Sequence, residues 1–270
     1  METISKPVIQ VRDLGLSYDD YAVMRGLNFS VNKNEIFVVM GGSGCGKSTL
    51  LKALIGLKSP VEGEVLYEGV SFWQQDEDKQ QGIMRRLGIL YQGGALWSSL
   101  TLGENVALPL ELYAKLSPPQ VREVVELKLS LVGLSGYADF YPAQISGGMR
   151  KRAALARAIA LDPDFIFFDE PSSGLDPLSA RSLDELILQL KDTLRAAIIV
   201  VTHELASIFT IGDNSVLLDA DSKSMIAIGN PRDLLNTSSD PRVIQFLTRG
   251  EKTSLPRLPT GSQGGQGAAR

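Results

Sequence analysis

An α/β fold is predicted by three observations. Short apolar runs recur at residues 36–40, 87–91, 165–168, 197–201 and 216–218. They are β-branched or aromatic and lack polar alternation, which is how parallel strands buried on both faces read. Helical stretches lie between them. The third observation is a different pattern in the first 35 residues, where 8–11 and 27–31 alternate as antiparallel strands do. The prediction is therefore a parallel-sheet core, an antiparallel β layer over it at the N-terminus, and an α-helical subdomain inserted at about 93–160, after which the core resumes.

Two helix starts are specific. Ser117-Pro118-Pro119-Gln120 offers a Ser cap, Pro in the first turn and Gln three residues after the cap. Asp176-Pro177 opens a second helix, along which Leu183, Leu186, Ile187 and Leu190 share one face. No internal repeat is visible. Residues 251–270, with the run Gly261-Ser262-Gln263-Gly264-Gly265-Gln266-Gly267, read as a flexible low-complexity tail.

Composition narrows the function classes. Hydrophobic residues are 44% and charged residues 21% of 270, which excludes disordered and collagen-like chains. A formal net charge of −4 gives no electrostatic footprint for gripping nucleic acid. A single cysteine, Cys45, rules out an internal disulfide framework. The first seven residues carry no apolar signal core, and no apolar run approaches the roughly 20 residues of a membrane span. The expectation is a peripheral protein on the cytoplasmic face of the inner membrane, with any membrane role exerted through a partner.

The chemistry begins at Gly41-Gly42-Ser43-Gly44-Cys45-Gly46-Lys47-Ser48, which fits G-x-x-x-x-G-K-[ST] between a strand and a helix. Its glycines let backbone N–H groups curl around phosphate oxygens, and the helix start adds its positive end. Lys47 is expected at the β and γ phosphates, Ser48 on Mg²⁺, and Thr49 beside them. Cys45 reads as a small loop residue rather than a redox group. The fold class this motif adds is a P-loop NTPase of the RecA-like kind, with ATP and Mg²⁺ as the expected cofactors.

A second apolar run ends in Asp169-Glu170. Asp169 is expected to hold Mg²⁺ through water, and Glu170 to polarise the attacking water as a general base. A third element, Ile145-Ser146-Gly147-Gly148-Met149-Arg150-Lys151-Arg152, opens an Ala-rich helix and makes a second phosphate cradle from Ser146, Gly147 and Gly148. One ATP needs only one P-loop, so a second cradle suggests that each chain closes over its neighbour's nucleotide. Taken alone, this motif could equally be a plain capped helix.

Three single residues complete the candidates. His203, the only histidine, follows a core strand at its C-terminal end, where ligands bind in open α/β sheets, and is a candidate to contact the γ-phosphate, with a structural histidine as the rival reading. Gln92 follows another strand and is a candidate for both Mg²⁺ and the attacking water; by itself it is as readily structural. Tyr18, upstream of the P-loop, offers an aromatic face for adenine, with a core or surface tyrosine as the rival reading.

In this order the pieces resemble an ABC-type ATPase: a Walker A loop at Gly41 to Ser48, a Q-loop at Gln92, a signature at Ile145 to Met149, a Walker B strand ending at Asp169 and Glu170, a D-loop at Ser173-Gly174-Leu175-Asp176, and a switch histidine at His203. The likeness covers about residues 8–235 and implies one ATPase domain over 1–250, working as an ATP-sandwich dimer with a second copy of itself. The signature departs from the commonest form at Ile145 and Met149, while Ser146 and both glycines stay. A narrower likeness lies in residues 92–101, 146–152 and 240–247, which are similar to the ATPases of MCE-type lipid transporters, including the Mla phospholipid system. It implies phospholipid transport, an integral membrane permease and an MCE substrate-binding protein. At Leu175 the chain differs from the Mla ATPase itself.

Two alternatives stand at this stage: a subunit of another ABC importer or exporter, and a soluble ABC-type ATPase such as an iron–sulfur assembly factor. Two further segments draw expectations. Ala95, Leu96 and Trp97 form an apolar cluster past Gln92 that suits permease docking, with burial between core and lobe as the rival. Residues 240–247 form a short amphipathic turn that docks on a neighbouring chain or on its own domain.

Overall fold

The computed structural model describes residues 6–250. The chain builds two sheets. The first is antiparallel, in the order β2-β1-β4-β5, from β1 (Ile9–Tyr18), β2 (Tyr21–Val31), β4 (Glu62–Tyr67) and β5 (Val70–Ser71). The second runs β10-β9-β3-β8-β7-β6, from β3 (Ile36–Gly41), β6 (Leu87–Leu90), β7 (Phe165–Asp169), β8 (Ala197–Val201), β9 (Asn214–Asp219) and β10 (Ser224–Gly229). All of its pairs are parallel except the β9–β10 hairpin.

Each predicted apolar run is a strand of the second sheet, and the reason lies in its two faces. Along β3, Phe37 and Val39 point into one core with Leu50, Leu54, Leu14 and Leu16, beneath the antiparallel sheet. Ile36, Val38 and Met40 point into a second core with Leu155, Ile187 and Ile208. A strand alternates its side chains, so burial on both faces forces a continuous apolar sequence. The helix α1 (Lys47–Leu54) lies in the first core.

The second face is covered by helices, including α5 (Gly147–Ala158), α6 (Pro177–Leu194) and α7 (Leu205–Ile211). Outside them stand α3 (Leu102–Tyr113) and α4 (Pro118–Leu131), which pack on each other and on α5. Asp176 caps α6 by accepting from the N–H groups of Leu178 and Ser179 at 3.1 and 3.0 Å. At α4 Gln120 Oε1 accepts from both the N–H and the hydroxyl of Ser117, at 2.9 and 2.8 Å. The antiparallel strands run longer than their alternation suggested, because register shifts within β1 interrupt the period.

Three helices complete the fold: α2 (Glu77–Met84), α8 (Pro231–Thr237) and α9 (Pro241–Leu247). The segment with two proposed docking surfaces is α9, and it packs on its own domain: Val243 is fully buried and Leu247 nearly so in the second core. No helix among the described residues is long and apolar enough to cross a membrane. The expected tail, 251–270, lies outside the described residues.

Candidate active site

The ends of β3, β7 and β8 converge on one cleft of about 1040 Å³. The P-loop leaves β3 at Gly41, where a Cβ would sit 2.5 Å from Cys45 Sγ and 2.7 Å from the Leu218 carbonyl, so only glycine fits. Gly46 has φ +93° and is the residue before α1, and a Cβ there would meet Val23 at 2.9 Å and Met24 at 3.0 Å. That left-handed turn aims the first N–H groups of α1 into the cleft. Gly42, Ser43, Gly44, Gly46, Lys47, Ser48 and Thr49 line it.

Lys47 is almost fully buried, and its Nζ donates to the carbonyls of Gly41 and Gly42 at 2.9 Å each. The ammonium thus lies folded back on its own loop. Cys45 turns the other way: its side chain packs in the first core and burial pushes its thiol up. Only its backbone belongs to the loop, so a thiol reaction at this position has no geometry behind it.

On the facing wall, β7 delivers two carboxylates with different surroundings. Asp169 has a buried Oδ1 with no hydrogen-bond partner. Burial pushes its carboxyl up, Glu170 adds to that, and Lys47 opposes it. Glu170 has φ +48°, a conformation that side-chain-bearing residues avoid, held by its N–H donating to Val201 at 2.8 Å. Its Oε1 lies 2.7 Å from His203 Nδ1, and Thr202 Oγ1 donates to Oε2 at 3.4 Å. Glu170 and His203 both line the cleft.

Gln92 also lines it, with Nε2 donating to Ser173 Oγ at 3.2 Å and its carbonyl oxygen left over. Tyr18 stands at the cleft's edge, half-exposed, and Lys58 Nζ sits 3.9 Å from its ring centroid, so one face is taken and one remains. Tyr21, which sequence reasoning passed over, lines the same edge.

The predicted second cradle is not in this cleft. Ser146 caps α5, its Oγ accepting from Met149 N–H at 3.2 Å, and Ser146 and Gly148 line a separate groove beside Leu175 and Leu178. Two side chains on α5 tie this cradle to the rest of the site. Lys151 Nζ donates to the Pro171 carbonyl at 2.6 Å and also reaches the Ser173 carbonyl. Arg157 donates to the carbonyls of Gly94 and Ala95 at 2.9 and 2.7 Å.

Comparison with known proteins places the chain in a family. The model of the ABC transporter family matches residues 24–173, and the P-loop, Gln92, the Ser146 cradle and the Asp169-Glu170 pair all fall inside that span. The chain belongs to the ABC transporter family. This ABC subunit is 40% identical, over 94% of its length and 95% of the relative's, to the intermembrane phospholipid transport system ATP-binding protein MlaF of Haemophilus influenzae. It is 40% identical over 88% of its length to the probable ribonucleotide transport ATP-binding protein mkl of Mycobacterium leprae, covering 68% of that protein. Among solved structures it is similar to the dimeric post-hydrolysis state of the ATP-binding cassette MJ0796 bound to ADP and Pi, with TM-score 0.74, 27% identity and coverage of 82% of this chain and 98% of that one. The ABC subunit is accordingly an ATPase with the α/β core, antiparallel layer and helical subdomain of its family.

Asn105 was not legible as a site residue. It is fully buried and holds the loop before α3: its Oδ1 accepts from Trp97 N–H at 2.8 Å and its Nδ2 donates to the carbonyls of Trp97, Leu100 and Thr101. Trp97 remains 60% exposed on that loop, Ala95 is exposed, and Leu96 packs partly into the core. A polar side chain buried beside a helix start gives no periodic signal, so sequence patterning passes over it.

Proposed function

We propose that this ATPase drives phospholipid transport through a separate integral membrane permease with an MCE-type partner, from the cytoplasmic face of the inner membrane. The relative MlaF, named for an intermembrane phospholipid transport system, supports that cargo class. We propose further that it acts as a head-to-tail dimer. The observation that carries the dimer is the separation of two phosphate cradles on one chain: Lys47 lines one cleft, while Ser146 and Gly148 line another. A second copy can bring its Ser146, Gly147 and Gly148 to the nucleotide held by the first, and the dimeric cassette MJ0796 supports that arrangement.

In this reading Gly41 to Ser48, with Thr49, cradle the phosphates through backbone N–H groups, and Tyr18 offers its free face to adenine. Lys47 leaves the Gly41 and Gly42 carbonyls for the phosphates, which replace those two weak acceptors with charged ones. The partnerless buried oxygen of Asp169 fits a cation, and Asp169, Ser48 and Gln92 would hold Mg²⁺ there. When bound, that ion neutralises phosphate charge. Glu170 polarises the attacking water, and His203, oriented by Glu170 through Nδ1, presents Nε2 to the γ-phosphate.

The permease reading predicts contact at the exposed Trp97 loop. A Ser99→Cys chain should crosslink to a cytoplasmic loop of the permease, with a yield that changes on adding ATP. Trp97→Asp should leave ATP hydrolysis by the isolated subunit intact while lipid movement by the complex stops. Normal phospholipid movement with Trp97→Asp, and no crosslink from Ser99→Cys, would put the coupling surface elsewhere.

A further inference from the structure

A chain of ionisable groups runs from the reacting centre to the end of α9. His203 stands between two carboxylates: Glu170 Oε1 is 2.7 Å from its Nδ1, and Glu204 Oε1 is 3.6 Å from its Nε2. The second oxygen of Glu204 accepts from Arg249 Nη2 at 3.0 Å. Among the described residues, Arg249 and the His203 ring are the side chains paired with Glu204.

We propose that Arg249 is a positioning residue for ATP hydrolysis, acting on His203 through Glu204, so that the seating of α9 on its own domain sets turnover. The proposal rests on His203 facing the γ-phosphate.

The backbone around this chain is fixed, and one side chain in it has a choice. Thr202 is fully buried, and its Oγ1 accepts from the Glu204 N–H at 3.1 Å. The main chain of Glu204 is therefore tied down beside the catalytic carboxylate. Its side chain has two neighbours, the His203 ring and the Arg249 guanidinium. The observed distances divide them: a hydrogen bond to Arg249, and a gap to Nε2 beyond hydrogen-bond range.

That division matters because an imidazole has only two nitrogens. With Nδ1–H donating to the Glu170 carboxylate, Nε2 is the nitrogen left for a phosphate oxygen, to which it donates when the ring carries both protons. A Glu204 without Arg249 would close on Nε2 and hold the ring between two carboxylates. It would also leave an uncompensated negative charge beside the place where triphosphate charge accumulates. Arg249 draws Glu204 away and offsets that charge.

Arg249 is held where it can do this. Val243 and Leu247 anchor α9 in the core, and the helix ends with Arg249 at φ +53° and Gly250 at φ +75°. Left-handed residues close a helix end, and the Gly250 N–H donates back to Gln245 at 2.9 Å. Gln245, Phe246, Arg249 and Gly250 line the nucleotide cleft itself, so α9 forms part of its wall. The Glu204–Arg249 pair is 40% and 61% exposed, and pairs this open add little to stability. Its place beside His203 is the property with consequences.

The test is steady-state ATP hydrolysis by the full chain, with melting temperatures recorded for each variant. Arg249→Ala should lower kcat by about five-fold and change KM for MgATP less than about two-fold, the range open to a solvent-facing ion pair. Arg249→Lys should recover most of the loss. In a Glu204→Gln background Arg249→Ala should have no further effect on kcat, because there is no carboxylate left to restrain. Undiminished kcat in Arg249→Ala, or an equal loss with and without the Glu204 carboxylate, would overturn the proposal. His203→Ala in the same assay separates the two levels of the argument. If it hydrolyses ATP normally, the phosphate-facing role fails and takes the proposal with it; if it is impaired while Arg249→Ala is not, only the proposal fails.

Discussion

Arg157 donates to the Ala95 carbonyl at 2.7 Å, and with its other nitrogen to Gly94, so the cradle helix α5 grips the segment that follows Gln92. A planar guanidinium satisfies two consecutive carbonyls at once, and burial lowers its own tendency to hold a proton without removing its charge. The clamp holds Gly94 and Ala95, between the cleft-lining Gln92 and the exposed Trp97.

Arg157→Lys should break the two-carbonyl grip, since an ammonium cannot reproduce the fork. Hydrogen bonds from a charged donor contribute about 1.5–3 kcal/mol each. Amide exchange across residues 93–100 should therefore speed up by roughly ten-fold or more while exchange in β3 and β8 stays unchanged. Unchanged exchange in that segment would mean the loop is held by Asn105 alone.

Asn105→Ala removes one acceptor and three donated bonds around the same loop and leaves a fully buried hole. The cost should be about 2–4 kcal/mol, read as a lower denaturation midpoint with an unchanged m-value.

Glu170→Gln should keep nucleotide binding and lose turnover, because the phosphate contacts remain while the base is gone. A nucleotide-bound dimer should accumulate, visible by size-exclusion chromatography with light scattering. Lys47→Ala should weaken binding itself. Mixing Lys47→Ala with Ser146→Arg chains tests the shared site: one of the two sites carries both defects and the other neither, so part of the activity should return. No recovery from proven mixed dimers would argue against sites built from two chains.

Asp169→Asn should stabilise the nucleotide-free protein while abolishing hydrolysis. Burial raises the Asp169 carboxyl, with Glu170 adding to it. A raised carboxyl in the folded state binds its proton more tightly than in the unfolded chain, so folding is favoured at low pH and that contribution is lost as pH rises through the folded value. Thermal melts should show Asp169→Asn gaining a few degrees at pH 8 and less at pH 5. A gain that shrinks toward pH 8 would reverse the sign.

Truncation after Asp240 should lower stability rather than only assembly. Val243 and Leu247 each fill a core position, and emptying one such position costs about 2–5 kcal/mol. Melting of the truncated chain at the full-length temperature would show that α9 is not integral to the fold.

The sequence by itself determined the strand runs, the P-loop and the carboxylate pair. It did so because each is written over consecutive residues: a strand buried on both faces must be apolar throughout, and a loop that approaches phosphate must be glycine-rich at fixed spacing. Asp169, Glu170 and His203 were legible for a related reason, since each stands where an apolar strand stops. Tertiary structure alone decided which side chains meet across distance. Arg157 with Ala95, Asn105 with Trp97 and Arg249 with Glu204 are separated by 62, 8 and 45 positions, and no local period records such pairs. It also decided which way α9 faces. An amphipathic turn states that one face will be covered, and only the packing of Val243 and Leu247 into the second core says by what.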